Sequence, residues 1–109
     1  QKYARLSDIL GFGGKTDDEK VSNLIKAIEK IKAEIGIASS IKSATRFDRA
    51  LNKEVPVVTQ KQFDEFIEAG AAEEAFDDQC TGANPRYPLI KELEQIYKYA
   101  WEGKTDFEI

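Results

Sequence analysis

The chain has 109 residues, 41% hydrophobic and 33% charged, a balance that suits one domain, or a piece of one, and not a disordered segment. Its net charge is −4 with acids and bases interleaved, so no basic stripe marks a nucleic-acid partner, and no apolar run is long enough to span a membrane. The single cysteine excludes an internal disulfide and points to a reducing, cytoplasmic compartment, while the absence of histidine removes every imidazole ligand and base. The chain contains no methionine and begins at Gln1 inside a helical pattern. It reads as one helical segment, residues 1–109, belonging to a longer protein.

Lys2 to Leu10 is a short helical run with Tyr3, Leu6, Ile9 and Leu10 on one side. Gly11-Phe12-Gly13-Gly14 ends it. Dinucleotide-binding glycine loops follow a strand in a βαβ unit; these follow a helix, so a helix C-cap and turn is the better reading. Thr16 and Glu19 form a capping box, with Asp17 and Asp18 at the positive end of the dipole. This predicts a helix to about Ile35, ended by Gly36. Val21, Leu24, Ile25, Ile28, Ile31 and Ile35 form its apolar stripe, opposite a solvated Lys/Glu face.

The stretch from Ile37 to Val58 is the hardest to read. Ser39 or Ser40 could cap a turn holding Ile41 and Ala44, and Phe47, Ala50 and Leu51 could form another helical turn. Val55-Pro56-Val57-Val58 is extended, because the residue before proline avoids the helical region; no partner strand is evident. Thr59 and Gln62 form a second capping box, predicting a helix to about Phe76, in which Gly70 allows a close approach or a kink. Pro88 suits a first helical position and opens the last helix, to about Glu102. Gly103 terminates it, and Lys104 to Ile109 reads as a tail.

The least generic stretch joins the last two helices: Ala75-Phe76-Asp77-Asp78-Gln79-Cys80-Thr81-Gly82-Ala83-Asn84-Pro85-Arg86-Tyr87-Pro88. Asp77 and Asp78 invite a metal or acid/base reading, but adjacent helical residues point about 100° apart. They read better as residues that cap the turn or bind Arg86. Arg86 could take a phosphate; a bidentate bond to Asp77 or Asp78 is the preferred reading. Cys80 has no histidine to activate it as a nucleophile, which leaves a buried or cleft-lining thiol. Asn84-Pro85 is a turn device.

The run from Phe76 to Ile90 resembles the C-terminal signature of bifunctional aldehyde–alcohol dehydrogenases. More loosely, Cys80-Thr81-Gly82-Ala83-Asn84-Pro85-Arg86 is similar to the matching loop of iron-containing alcohol dehydrogenases. Tyr3 to Gly11, Lys32 to Ile37 and Ser40 to Lys42 extend the resemblance, which covers Tyr3 to about Trp101 and is weakest from Arg46 to Ala72. It implies an all-α fold, a helical-bundle fragment from the C-terminal helical domain of such an enzyme. It also implies a parent that uses NAD and Fe(2+) to reduce acetaldehyde to ethanol. In the family the metal is held by one Asp and three His upstream of this part. The chain has no histidine, so no histidine ligand carries over, and the fragment is expected to bind neither cofactor and to be inactive alone.

The resemblance further implies that Cys80, Thr81 and Gly82 line the substrate cleft without doing the chemistry, while Asp77, Asp78, Asn84, Pro85 and Arg86 structure the loop. The expected partners are the rest of the parent alcohol dehydrogenase domain and further copies of a homo-oligomeric or filament-forming parent, with no nucleic acid and no membrane. The alternative is a non-catalytic, all-helical protein-interaction module that docks through its apolar stripes.

Overall fold

The computed structural model of the protein describes residues 1–105; Asp106 to Ile109, most of the expected tail, lie outside the described residues. The chain divides into two compact units, Gln1–Ser39 and Ser40–Ile109. The first is a helical hairpin. Helix α1 spans Lys2–Ile9 and α2 spans Asp17–Glu34. At the start of α2 the Thr16 hydroxyl accepts from the Glu19 N–H at 3.2 Å. The Glu19 carboxylate reaches back one residue further than a capping box requires, to the Lys15 N–H at 2.7 Å. At its end Gly36 takes φ +79°, and the Ile37 N–H closes on the Lys32 carbonyl at 2.8 Å. That left-handed turn is why the helix stops at a glycine.

Ala4 and Ser7 on α1 and Leu24 on α2 are buried. Alanine and serine, one turn apart, allow two helix backbones to approach closely. Lys20 Nζ meets Asp8 Oδ2 at 2.8 Å, joining the two helices by an ion pair. Asn23 Nδ2 donates to the carbonyls of Gly13, at 3.1 Å, and Phe12, at 3.4 Å, which fastens the glycine turn to α2. The turn is a structural joint, as the reading of a C-cap required.

The second unit is where the expected all-α fold holds in part. Most of it is helical, but Thr45–Asp48 (β1) and Lys53–Pro56 (β2) pair as an antiparallel hairpin. Val55 and Pro56 are extended as expected, and their partner is β1. Phe47, Ala50 and Leu51 do not form a helical turn. Asp48 Oδ1 accepts from the N–H groups of Ala50, at 2.9 Å, and Leu51, at 3.2 Å, and Asn52 takes φ +53°. An aspartate that binds the backbone just ahead, with a left-handed asparagine after it, is turn chemistry.

The helix expected from Thr59 to Phe76 is two helices, α3 (Gln60–Glu68) and α4 (Ala71–Asp77). Gly70 at φ +93° separates them, a conformation that breaks the ladder instead of kinking it. The Thr59–Gln62 capping box is complete, with bonds of 3.2 and 2.9 Å. The last helix, α5, runs over Ile90–Glu102 with Leu89 as N-cap. Pro88 therefore precedes the cap and is not the first helical residue.

Phe63 of α3 and Trp101 of α5 stack with centroids 4.6 Å apart, and Phe66 meets Tyr97 edge-on at 5.1 Å. Phe63, Trp101, Ala71 and Ala72 are buried, and Trp101 Nε1 donates to Gln60 Oε1 at 3.2 Å. Among the described residues, no helix is long and apolar enough to cross a membrane.

Candidate functional site

The loop from Ala75 to Pro88 holds itself by side chain to backbone bonds. Asp78 ends α4 in an extended conformation, and its Oδ1 accepts from the Cys80 N–H at 2.7 Å. The Thr81 hydroxyl donates back to the Ala75 carbonyl, tying the loop to the last turn of α4. Thr81–Ala83 is one turn of 3₁₀-helix. Asn84 then extends at ψ +135°, the conformation that the following Pro85 imposes, and its Nδ2 donates to the Arg86 carbonyl. Phe76 and Tyr87 meet edge-on at 5.6 Å across the base of the loop.

The expected partner of Arg86 is corrected. Its Nη2 meets Glu92 Oε1 at 2.6 Å, while Glu92 Oε2 accepts from the Leu89 N–H at 2.8 Å. One carboxylate thus ties the loop to the first turn of α5. With Pro88 read as the first helical residue, the sequence gives no signal for Glu92 as the partner. With Leu89 as the cap, Glu92 occupies the third helical position, where an acid characteristically reaches back. Leucine has no acceptor, so only this half of the box exists. Asp78 caps the turn through its bond from the Cys80 N–H.

The structure brings Cys80, Thr81 and Gly82 together at the tip of the loop. Cys80 is exposed and not buried, and Thr81 is half-buried. A cavity of about 210 Å³ beside the loop is lined by Asn84, Arg86, Pro88, Glu92 and Ile96. Another, of about 270 Å³, lies among Ile41, Val58, Phe63, Phe66 and Tyr97 and offers no polar group to orient a ligand. No group of three or more His, Cys, Asp or Glu side chains gathers as a metal-ligand set among the described residues. The loop leaves the Cys80 thiol exposed, while the Thr81 hydroxyl is turned inward onto the Ala75 carbonyl.

Comparison with known proteins places the chain among dehydrogenases. It is 40% identical over 96 residues to an aldehyde-alcohol dehydrogenase of Clostridium acetobutylicum, covering 88% of this chain and 10% of that protein. It is 39% identical over 110 residues to the bifunctional aldehyde-alcohol dehydrogenase AdhE of Escherichia coli K12, covering 99% of this chain and 11% of that protein. A more distant relative, an NADPH-dependent butanol dehydrogenase of Clostridium saccharobutylicum, is 23% identical over 108 residues, 98% of this chain and 24% of that protein. No family model matches. The chain is homologous to a segment of these oxidoreductases. In particular, it corresponds to a piece of the bifunctional aldehyde–alcohol dehydrogenases, and it spans about a tenth of their length.

Proposed function

We propose that the chain is the C-terminal helical part of the alcohol dehydrogenase domain of a bifunctional aldehyde–alcohol dehydrogenase. The parent would be a cytoplasmic, NAD- and iron-dependent enzyme that reduces acetaldehyde to ethanol. The observation that carries this reading is the likeness to such enzymes at 39–40% identity along 88–99% of the chain. Iron and NAD would be held by residues outside this segment.

The role of this piece is architectural. Asp78, Asn84, Pro85 and the Arg86–Glu92 pair fix the loop, and Cys80, Thr81 and Gly82 form part of the cleft wall. The rest of the parent domain is the proposed partner, together with further copies of the parent. A non-catalytic helical interaction module is the second reading, favoured by the exposure of Ile28, Ile31 and Ile35 on α2. The enzyme reading accounts for the same stripe as a surface that the rest of the parent covers.

The test is NAD-dependent oxidation of each primary alcohol from ethanol through butanol by the intact parent supplied with Fe(2+), beside the isolated chain. Turnover by the parent and none by the chain is expected. Cys80→Ser should keep kcat within about tenfold, roughly 1.4 kcal/mol of barrier. Cys80→Leu should shift kcat/KM for the longer alcohols by about 1–3 kcal/mol. A parent that oxidises no alcohol ends the enzyme reading, and an unchanged chain-length profile in Cys80→Leu removes the loop from the cleft.

A further inference from the structure

The β1–β2 hairpin has one open edge and one blocked edge. The Val57 N–H donates to the Ala44 carbonyl at 3.0 Å, so these two form a hydrogen-bonded pair. The register continues Thr45↔Pro56, Arg46↔Val55, Phe47↔Glu54 and Asp48↔Lys53. Antiparallel ladders alternate bonded and non-bonded pairs. Arg46 and Asp48 therefore turn their backbone groups toward β2, while Thr45 and Phe47 turn theirs outward. On β2 the outward residues are Glu54 and Pro56. Proline has no N–H, so that edge keeps a donor at Glu54 alone and resists extension at Pro56. The β1 edge keeps both donors, and the Phe47 side chain is 54% exposed.

We propose that the open edge of β1 pairs with β1 of a second copy of this chain, antiparallel about a two-fold axis through Phe47. The two Phe47 residues then exchange both backbone N–H···O bonds. Arg46 falls opposite Asp48 of the second copy, and Asp48 opposite its Arg46. Flanking a bonded pair, these are non-bonded positions, where opposed Cα atoms are closest, about 4.5 Å apart. Within one strand Arg46 Nη1 already lies 3.7 Å from Asp48 Oδ2, on the same face. The pairing exchanges this contact for two between copies, while Asp48 Oδ1 stays on the turn.

Charge complementarity selects this register. An axis between Arg46 and Phe47 would oppose an inward-facing residue to an outward-facing one, and an axis through Thr45 would set Arg46 against Ala44. The resulting sheet has order β2–β1–β1–β2, and Pro56 at both outer edges stops it at two copies. The inference rests on the hairpin alone and is independent of the dehydrogenase reading.

Sedimentation equilibrium of the full chain up to millimolar concentration tests it, with Arg46→Glu and Phe47→Pro beside the wild type. Phe47→Pro removes only an outward donor, so the β1–β2 ladder survives; the near-ultraviolet signal of Trp101 and hydrogen exchange at Val55 check that each variant folds. The wild type should dimerise as its concentration rises. Arg46→Glu, which sets like charges opposite each other, should weaken the dimer about tenfold or more, and Phe47→Pro should leave a monomer. A wild type that stays monomeric throughout overturns the proposal, and so does a dimer that persists in folded Phe47→Pro.

Discussion

The two units spend their apolar residues differently. In Gln1–Ser39, the buried residues are Ala4, Ser7 and Leu24, while Tyr3, Ile9, Ile31 and Ile35 remain outside, Ile35 at 67% exposure. The Ser7 hydroxyl is fully buried with no hydrogen-bond partner among the described residues, a cost of about 1–3 kcal/mol for such a group. In the second unit, aromatic rings from α3 and α5 close on one another around Trp101, whose N–H is satisfied by Gln60. Both units have well-formed amphipathic helices. An apolar stripe becomes a core only where a second stripe of matching size meets it. The first unit offers small residues and an ion pair instead.

Trp101→Ala should cause the largest loss. It empties a stacked site and removes the donor to Gln60, so about 3–5 kcal/mol should disappear from the second unit. Urea denaturation followed by circular dichroism measures this. A loss below about 1 kcal/mol would mean that the aromatic cluster does not distinguish the two units. Gly14→Ala should act next, and on the first unit alone. Gly14 has φ +127°, and an added Cβ would lie 2.8 Å from the Lys20 backbone nitrogen, so backbone must shift at a cost of about 1–3 kcal/mol. Amide exchange should quicken across α1 and α2 and stay unchanged around Trp101; quickening in both units would show them to be one cooperative body. Gly11→Ala, with φ +77° but open space around the new Cβ, should cost less.

The smallest effect concerns the ion pair between the first two helices. The hydrogen bond to Asp8 raises the Lys20 ammonium above the usual lysine value of 10.5; desolvation opposes this, and the charges of Asp8 and Asp17 add to it. A raised folded-state value means that the pair's contribution is complete below about 10.5 and fades as pH climbs through the higher folded value. Exchange protection of α1 should therefore weaken in that alkaline window, and Lys20→Met should abolish the extra slope. An identical slope in Lys20→Met would remove the pair from the account of what holds the first unit.

Local chemistry was legible wherever a residue acts on its own neighbours. Thr16, Thr59 and Gly36 mark helix ends because a hydroxyl or a positive φ acts within one turn. The likeness to aldehyde–alcohol dehydrogenases was readable from the loop around Cys80, a run too particular to be generic turn chemistry. In that loop Arg86 meets Glu92, six positions on, which the observed cap at Leu89 brings into reach.

The hairpin was hidden because four-residue strands carry no usable alternation, and Phe47, Ala50 and Leu51 imitate helical spacing. Gly70 looked like a kink, since its cost inside a helix is small; that it takes φ +93° and divides α3 from α4 is decided by the packing of each against its own neighbours. The sequence by itself determined where α2 and α3 begin and which helix faces are apolar, because those depend on nearby residues. Tertiary structure decided which apolar face finds a partner, because Phe63 and Trp101 lie far apart in the chain, while the observed cap and strand pairing decided which carboxylate meets Arg86 and which strand edge stays open.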